Sequence, residues 1–314
     1  MGIRPVGGRY LACHDDEMMS ARVLSWWTLL CALGALNILA WAVSAVEVNG
    51  QRGLISARAF AARRLQLWLC AVYVFGCAFR SAVPVFDVPR MSLFDAWLSR
   101  VIVGRSVATC AELCFVGQWA LLLYAISRTS GSVPGRVVAL ALLPLIATAE
   151  VCSWYAVLTT SNLGHIAEES IWGFSAALLV LSLAAILPRS TPRHRPLIIA
   201  CGLAGAVYLG YMVLVDIPMY WSRWLADQAS GRHYLSIAQG LHDASVHSVV
   251  SYRWEDWKSE IPWMTLYFSV AVWISIALVH VPASGPYSRS GTPRRSHPVT
   301  ALNIPAVAGS RFAG

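Results

Sequence analysis

Seven stretches of mostly apolar residues dominate this 314-residue chain, at approximately 23–46, 65–86, 101–126, 137–159, 166–187, 197–217 and 261–281. Each is long enough to cross about 30 Å of hydrocarbon as a helix, for which about 20 residues are needed. Inside a bilayer every backbone N–H and C=O must find its partner within the protein. A single segment meets that demand only as a helix. The pattern therefore predicts an all-α integral membrane protein, a seven-helix transmembrane bundle. Composition agrees: 13% of the residues are charged, against about 25% in soluble domains.

The bundle occupies 23–281. Residues 1–22 read as a polar N-terminal leader, with 1–17 unstructured. The first span follows Arg22, is too long for a signal-peptide core and carries no small-residue cleavage site, so it reads as retained. Residues 218–260 read as an extracytoplasmic loop carrying short interfacial helices between spans 6 and 7. Trp221, Trp224, Trp254 and Trp257 carry that reading, because indole collects where an apolar ring and a wet N–H are both satisfied. Residues 282–314, rich in Ser, Pro, Gly and Arg, read as a disordered basic tail.

Arginine positions orient the bundle. Arg52, Arg58, Arg63 and Arg64 fall between spans 1 and 2, Arg128 and Arg136 between spans 3 and 4, and Arg189, Arg193 and Arg195 between spans 5 and 6. With seven spans these connections share a side with the basic tail. The positive-inside rule then puts the C-terminus in the cytoplasm and the N-terminus outside, in a plasma or inner membrane. The net charge of +8 is spread over separate loops. It reads as orientation signal and headgroup contact, and excludes nucleic acid as a partner. The partners implied are the lipid bilayer and a lipid or small-molecule ligand. Of eight cysteines, seven lie in apolar stretches without metal-finger spacing, and read as small packing residues.

Ionisable residues inside spans are costly and default to function. Span 3 carries Arg105 and Glu112, two turns apart on one face; span 4 carries Glu150; span 5 opens with His165, Glu168 and Glu169; span 6 ends at Asp216. Given the topology, they fall mostly in the outer half of the bilayer, with Glu112 near mid-depth, above apolar floors in which Gln118 is the one clear polar residue. Glu112, Glu150, Glu169 and Arg105 are the candidate catalytic set, because a desolvated carboxylate beside a cation suits proton transfer. His165 and Glu168 are the candidate metal ligands, and the cofactor such a set would take is a divalent metal. Each has a structural counterpart: Arg105 with Glu112 also suits an ion pair that fixes packing, and Glu168 with Glu169 also suits a helix macrodipole. Arg80, Asp87, Arg90 and Asp95 read as a solvated loop network. His242, Asp243 and His247 supply too few co-facial ligands for a metal site.

A retinal protein needs a lysine in its last span, and the only lysine, Lys258, precedes it. The histidines do not match the motif spacing of seven-helix membrane hydrolases of the ceramidase and adiponectin-receptor type. Three functions stay open: an enzyme acting on a lipid or amphiphile, a transporter or proton-coupled carrier, and a sensor or structural subunit.

Overall fold

The computed structural model describes residues 7–192 and 194–281, with side chains from Ala21 onward. Seven helices are long and apolar enough to cross a membrane, a set that fits a multi-pass membrane protein. Span 1 lies in α1 (Gly7–Gly50), span 2 is α2 (Ala57–Ala82), span 3 is α3 (Val101–Thr129), span 4 is α4 (Val133–Thr159) and span 5 is built on α5 (Asn162–Ile186). Span 6 joins α6 (Arg195–Tyr211) to α7 (Ile217–Ala229) through a π turn, Met212–Asp216. Between spans 6 and 7 lie the short helices α8 (Ile237–Val246) and α9 (Trp254–Trp257). Span 7 joins α10 (Ile261–Leu266) to α11 (Val272–His280) through a second π turn, Tyr267–Ala271.

Local chemistry explains the element ends. Ser56 and Ser132 cap α2 and α4 by accepting from the backbone N–H groups of Ala59 and Gly135. Ser236 and Gln239 form a reciprocal capping box on α8. In span 6, Pro218 has no N–H to donate to the carbonyl four residues earlier, and the π turn lies just before it. In span 7 the π turn exposes the Phe268 carbonyl, which accepts from Asn37 Nδ2 of span 1 at 2.7 Å. Asn37 Oδ1 in turn accepts from Trp273 Nε1 at 2.9 Å.

Three expectations need correction. The leader is helical from Gly7, so α1 extends well before the first span; residues 1–6 lie outside the described residues, as does the tail 282–314. Span 6 does not end at 217. Its helix runs 35 residues to Ala229, about 52 Å at 1.5 Å per residue, well beyond the hydrocarbon. The tryptophans that suggested a surface loop, Trp221 and Trp224, ride on that helix. The fold also contains strand pairing. β1 (Val85–Phe86) pairs antiparallel with β2 (Met91–Ser92), which pairs parallel with β3 (Val249–Val250). This small sheet ties the connection between spans 2 and 3 to the one between spans 6 and 7.

Packing follows chain order from span 1 to span 6, while span 7 turns back against spans 1, 2 and 3. Span 6 is held by span 5 and makes no sustained backbone contact with span 7 among the described residues. Near the 189–195 connection the two are drawn together by one apolar cluster that includes Leu123, Ile126, Leu183, Ile186, Ile198 and Leu278. The small sheet and α8 sit together at one end of the bundle, its upper end. Gly164 sets the spacing of spans 4 and 5: a Cβ there would lie 2.6 Å from the Cys152 carbonyl oxygen and 2.7 Å from the Ala156 nitrogen. The same close approach brings the first turns of α5, with their ionisable residues, against α4.

Candidate functional site

Four charged side chains from three helices meet at one point. Arg105 Nη2 donates to Glu150 Oε2 at 2.6 Å, to Glu168 Oε1 at 3.2 Å and to Glu112 Oε2 at 3.3 Å. All four residues are buried. The i to i+7 spacing of Arg105 and Glu112 puts them on one face of α3. Glu150 comes from α4 and Glu168 from α5, so one guanidinium ties three spans together. The carboxylates have further partners: Thr109 donates to Glu150 at 2.6 Å, Tyr267 donates to Glu112 at 3.0 Å, and His165 Nδ1 shares a 2.8 Å hydrogen bond with Glu168. The His165 ring stacks on Tyr220, with centroids 4.8 Å apart.

Oxygens of Glu112, Glu150 and Glu168 lie within 4.8 Å of one another, a spacing that suits a cation. The cation at their centre is the arginine's own nitrogen, which occupies the place where an ion would bind. His165 and Glu168 do meet, as the proposed ligand pair requires, yet Glu168 is committed to both His165 and Arg105. The donor set therefore fits a charge hub better than a metal centre. Three carboxylates around one arginine leave a surplus of acid, which protons or a cationic partner must meet.

This hub forms one wall of a cavity of about 590 Å³ lined by residues of spans 2 to 7. Such a volume suits a small-molecule or lipid-sized ligand. Its upper part carries His165, Glu168, Glu169, Asp216 and Glu260, and its depth is lined by Val116, Leu142, Ile146, Leu179 and Ile274. Both π turns contribute to the wall, through Met212, Asp216, Tyr267, Val270 and Ala271. Glu169 and Asp216 face the cavity outside any ion pair among the described residues, with the Tyr211 hydroxyl beside Asp216. Glu260 differs: it is buried and takes Arg223 at 3.0 Å and Trp263 Nε1 at 2.6 Å.

Gln118, the expected polar step below the cluster, offers no path. It is fully buried, donates to the backbone carbonyls of Gln66 and Ser275 at 3.2 and 3.1 Å, and accepts from the Ser275 hydroxyl. The loop network is not solvated as expected. Arg90 is buried, has a left-handed φ of 55°, and pairs with Asp243 at 2.8 Å. Arg80 is buried on the cavity wall; only the Arg100–Asp95 pair, with Asp95 exposed, fits the expectation. Asp243 also meets His247 at 3.2 Å, a contact that strengthens the loop strap.

Sequence reasoning missed Thr109, Tyr220, Tyr267 and the cavity role of Arg80. Tyrosines near span ends carry a weak signal, because they are common at membrane interfaces anyway. Compared with known protein families, with curated proteins and with solved structures, the chain matches none.

Proposed function

We propose that this chain is a multi-pass membrane protein that admits an amphiphile from the bilayer into its cavity and acts on the polar head. The observation that carries the reading is the cavity's polarity: ionisable side chains gather at its upper end, and apolar residues line its depth. A head placed among Glu169, Asp216 and His165 would leave its chain against Leu142, Leu179 and Ile274. The weak contact between spans 6 and 7 supplies a lateral door for entry.

In this reading Glu169 meets the polar head directly, because it faces the cavity outside any ion pair among the described residues. Glu112, Glu150 and Arg105 form the hub behind it, holding spans 3, 4 and 5 and setting the local field. A buried hub that needs no solvent keeps its geometry while a ligand comes and goes. The sealed Gln118 position counts against a continuous transport path. The orientation follows from the arginine asymmetry: N-terminus outside, C-terminus cytoplasmic, cavity open toward the outer leaflet. The Trp-rich end of span 6, with α8 and α9, then sits at the outer interface. The setting is a plasma or inner membrane.

The test is incubation of purified protein with extracted membrane lipids, followed by mass spectrometry. Turnover of one amphiphile by the unsubstituted protein, lost in Glu169→Gln, is expected. Binding without turnover would replace the enzyme reading by a carrier or sensor. Absence of any bound amphiphile would overturn the proposal.

A further inference from the structure

The cavity wall carries one arginine that the fold leaves unpaired among the described residues. Arg105 is held by three carboxylates, and Arg223, which borders the cavity over the rings of Phe86 and Tyr220, is held by Glu260. Arg80 lines the cavity, is only 5% exposed and takes part in no ion pair or hydrogen bond. Its Nε is sealed off without an acceptor. The centre of the Phe268 ring lies 5.9 Å from its Cζ. A buried guanidinium without an anion is costly, and a membrane setting raises the cost. An anionic group brought by a ligand would remove it, and arginine's planar fork suits phosphate or carboxylate.

A purely anionic ligand would answer only half of the wall. Asp87, Glu169 and Asp216 also lack ion-pair partners among the described residues, and Tyr208, Tyr211 and Tyr220 line the cavity around the last two. Carboxylates among aromatic faces are the environment in which an ammonium group is held. The rest of the lining is apolar, which suits a chain attached to such a head. We propose that the ligand is an amphiphile with a zwitterionic head, its anionic group on Arg80 and its ammonium group between Glu169 and Asp216. This rests on the amphiphile reading above and adds the head-group chemistry.

The test compares three probes sharing a dodecyl chain, using native mass spectrometry of the protein in nonionic detergent. The probes are dodecylphosphocholine, dodecyl phosphate and dodecyltrimethylammonium. The zwitterion is expected to bind roughly tenfold tighter than either singly charged probe, the scale of one charge-assisted contact. Arg80→Gln should weaken dodecylphosphocholine by about the same factor and leave dodecyltrimethylammonium unchanged. Glu169→Gln should weaken the ammonium probe and leave dodecyl phosphate unchanged. If a variant fails to fold, the ranking in the unsubstituted protein still decides. Equal binding of all three heads would overturn the zwitterion assignment and leave the amphiphile reading standing. No retention of any probe would overturn both. Free phosphocholine binding as tightly as its dodecyl form would overturn the bilayer as the source.

Discussion

Arg105 Nη2 lies 2.6 Å from Glu150 Oε2, and both side chains are buried. The contact joins span 3 to span 4, and the same nitrogen reaches Glu168 on span 5. Replacing one member of such a hub should therefore have unequal effects. Arg105→Gln strands three carboxylates and should cost about 3–5 kcal/mol, the range for breaking a buried ion pair. Glu150→Gln leaves Arg105 with two acids and should cost less. Thermal unfolding in detergent orders the two variants; equal losses would deny the hub its central arginine.

Gly164 makes a second, independent claim about the same region. Its Cβ would meet backbone atoms of span 4 at 2.6 and 2.7 Å. Backbone cannot step aside as a flexible side chain can. Gly164→Ala should therefore destabilise by about 1–3 kcal/mol, read as a fall in thermal midpoint. An unchanged midpoint would mean that spans 4 and 5 are not packed this closely.

The Arg90–Asp243 pair fastens α8 over the upper end, outside the spans. Partial burial pushes the Asp243 carboxyl up. The hydrogen bond and charge of Arg90, aided by His247, outweigh that and hold it below its ordinary value. A lowered folded-state value means that the stabilisation is present above the unfolded value of about 3.9. It is lost as the pH falls through the folded value. Limited proteolysis of 230–260 should accelerate below about pH 4. Asp243→Asn should already be cleaved faster at pH 6 and should lose that acid dependence.

The polar bridge from Asn37 to the Phe268 carbonyl stabilises the π turn of span 7. Asn37→Leu removes that donor and leaves the carbonyl and Trp273 Nε1 unmatched in an apolar setting. A loss of about 1–3 kcal/mol is expected. Hydrogen exchange at 267–273 should rise with it, and unchanged protection there would contradict the account.

The spans were legible because a bilayer imposes a length, and seven apolar runs met it. Arg105 and Glu112 were legible from their shared helix face. The arrival of Glu150, His165 and Glu168 at the same end followed from the alternation of span directions. Other features left no comparable trace. Two-residue strands such as Val85–Phe86 are too short to show a period. Arg80 sits among loop charges in the sequence, so its place on the cavity wall required the third dimension. The continuation of span 6 to Ala229 was masked by tryptophans that serve equally well on a helix or in an interfacial loop. Asn37 carries no sequence signal because its partners, the Phe268 carbonyl and Trp273, lie more than two hundred positions away.

The central claim is that an amphiphile's chain occupies the cavity, and photolabelling with a diazirine-bearing phospholipid in native membranes tests it most directly. Peptide mapping should find adducts on Trp119, Leu179, Tyr208 and Ile274, which line the cavity. These adducts should fall when unlabelled lipid competes. Labels confined to outward-facing Leu140, Leu181, Leu203 and Leu214 would contradict the account.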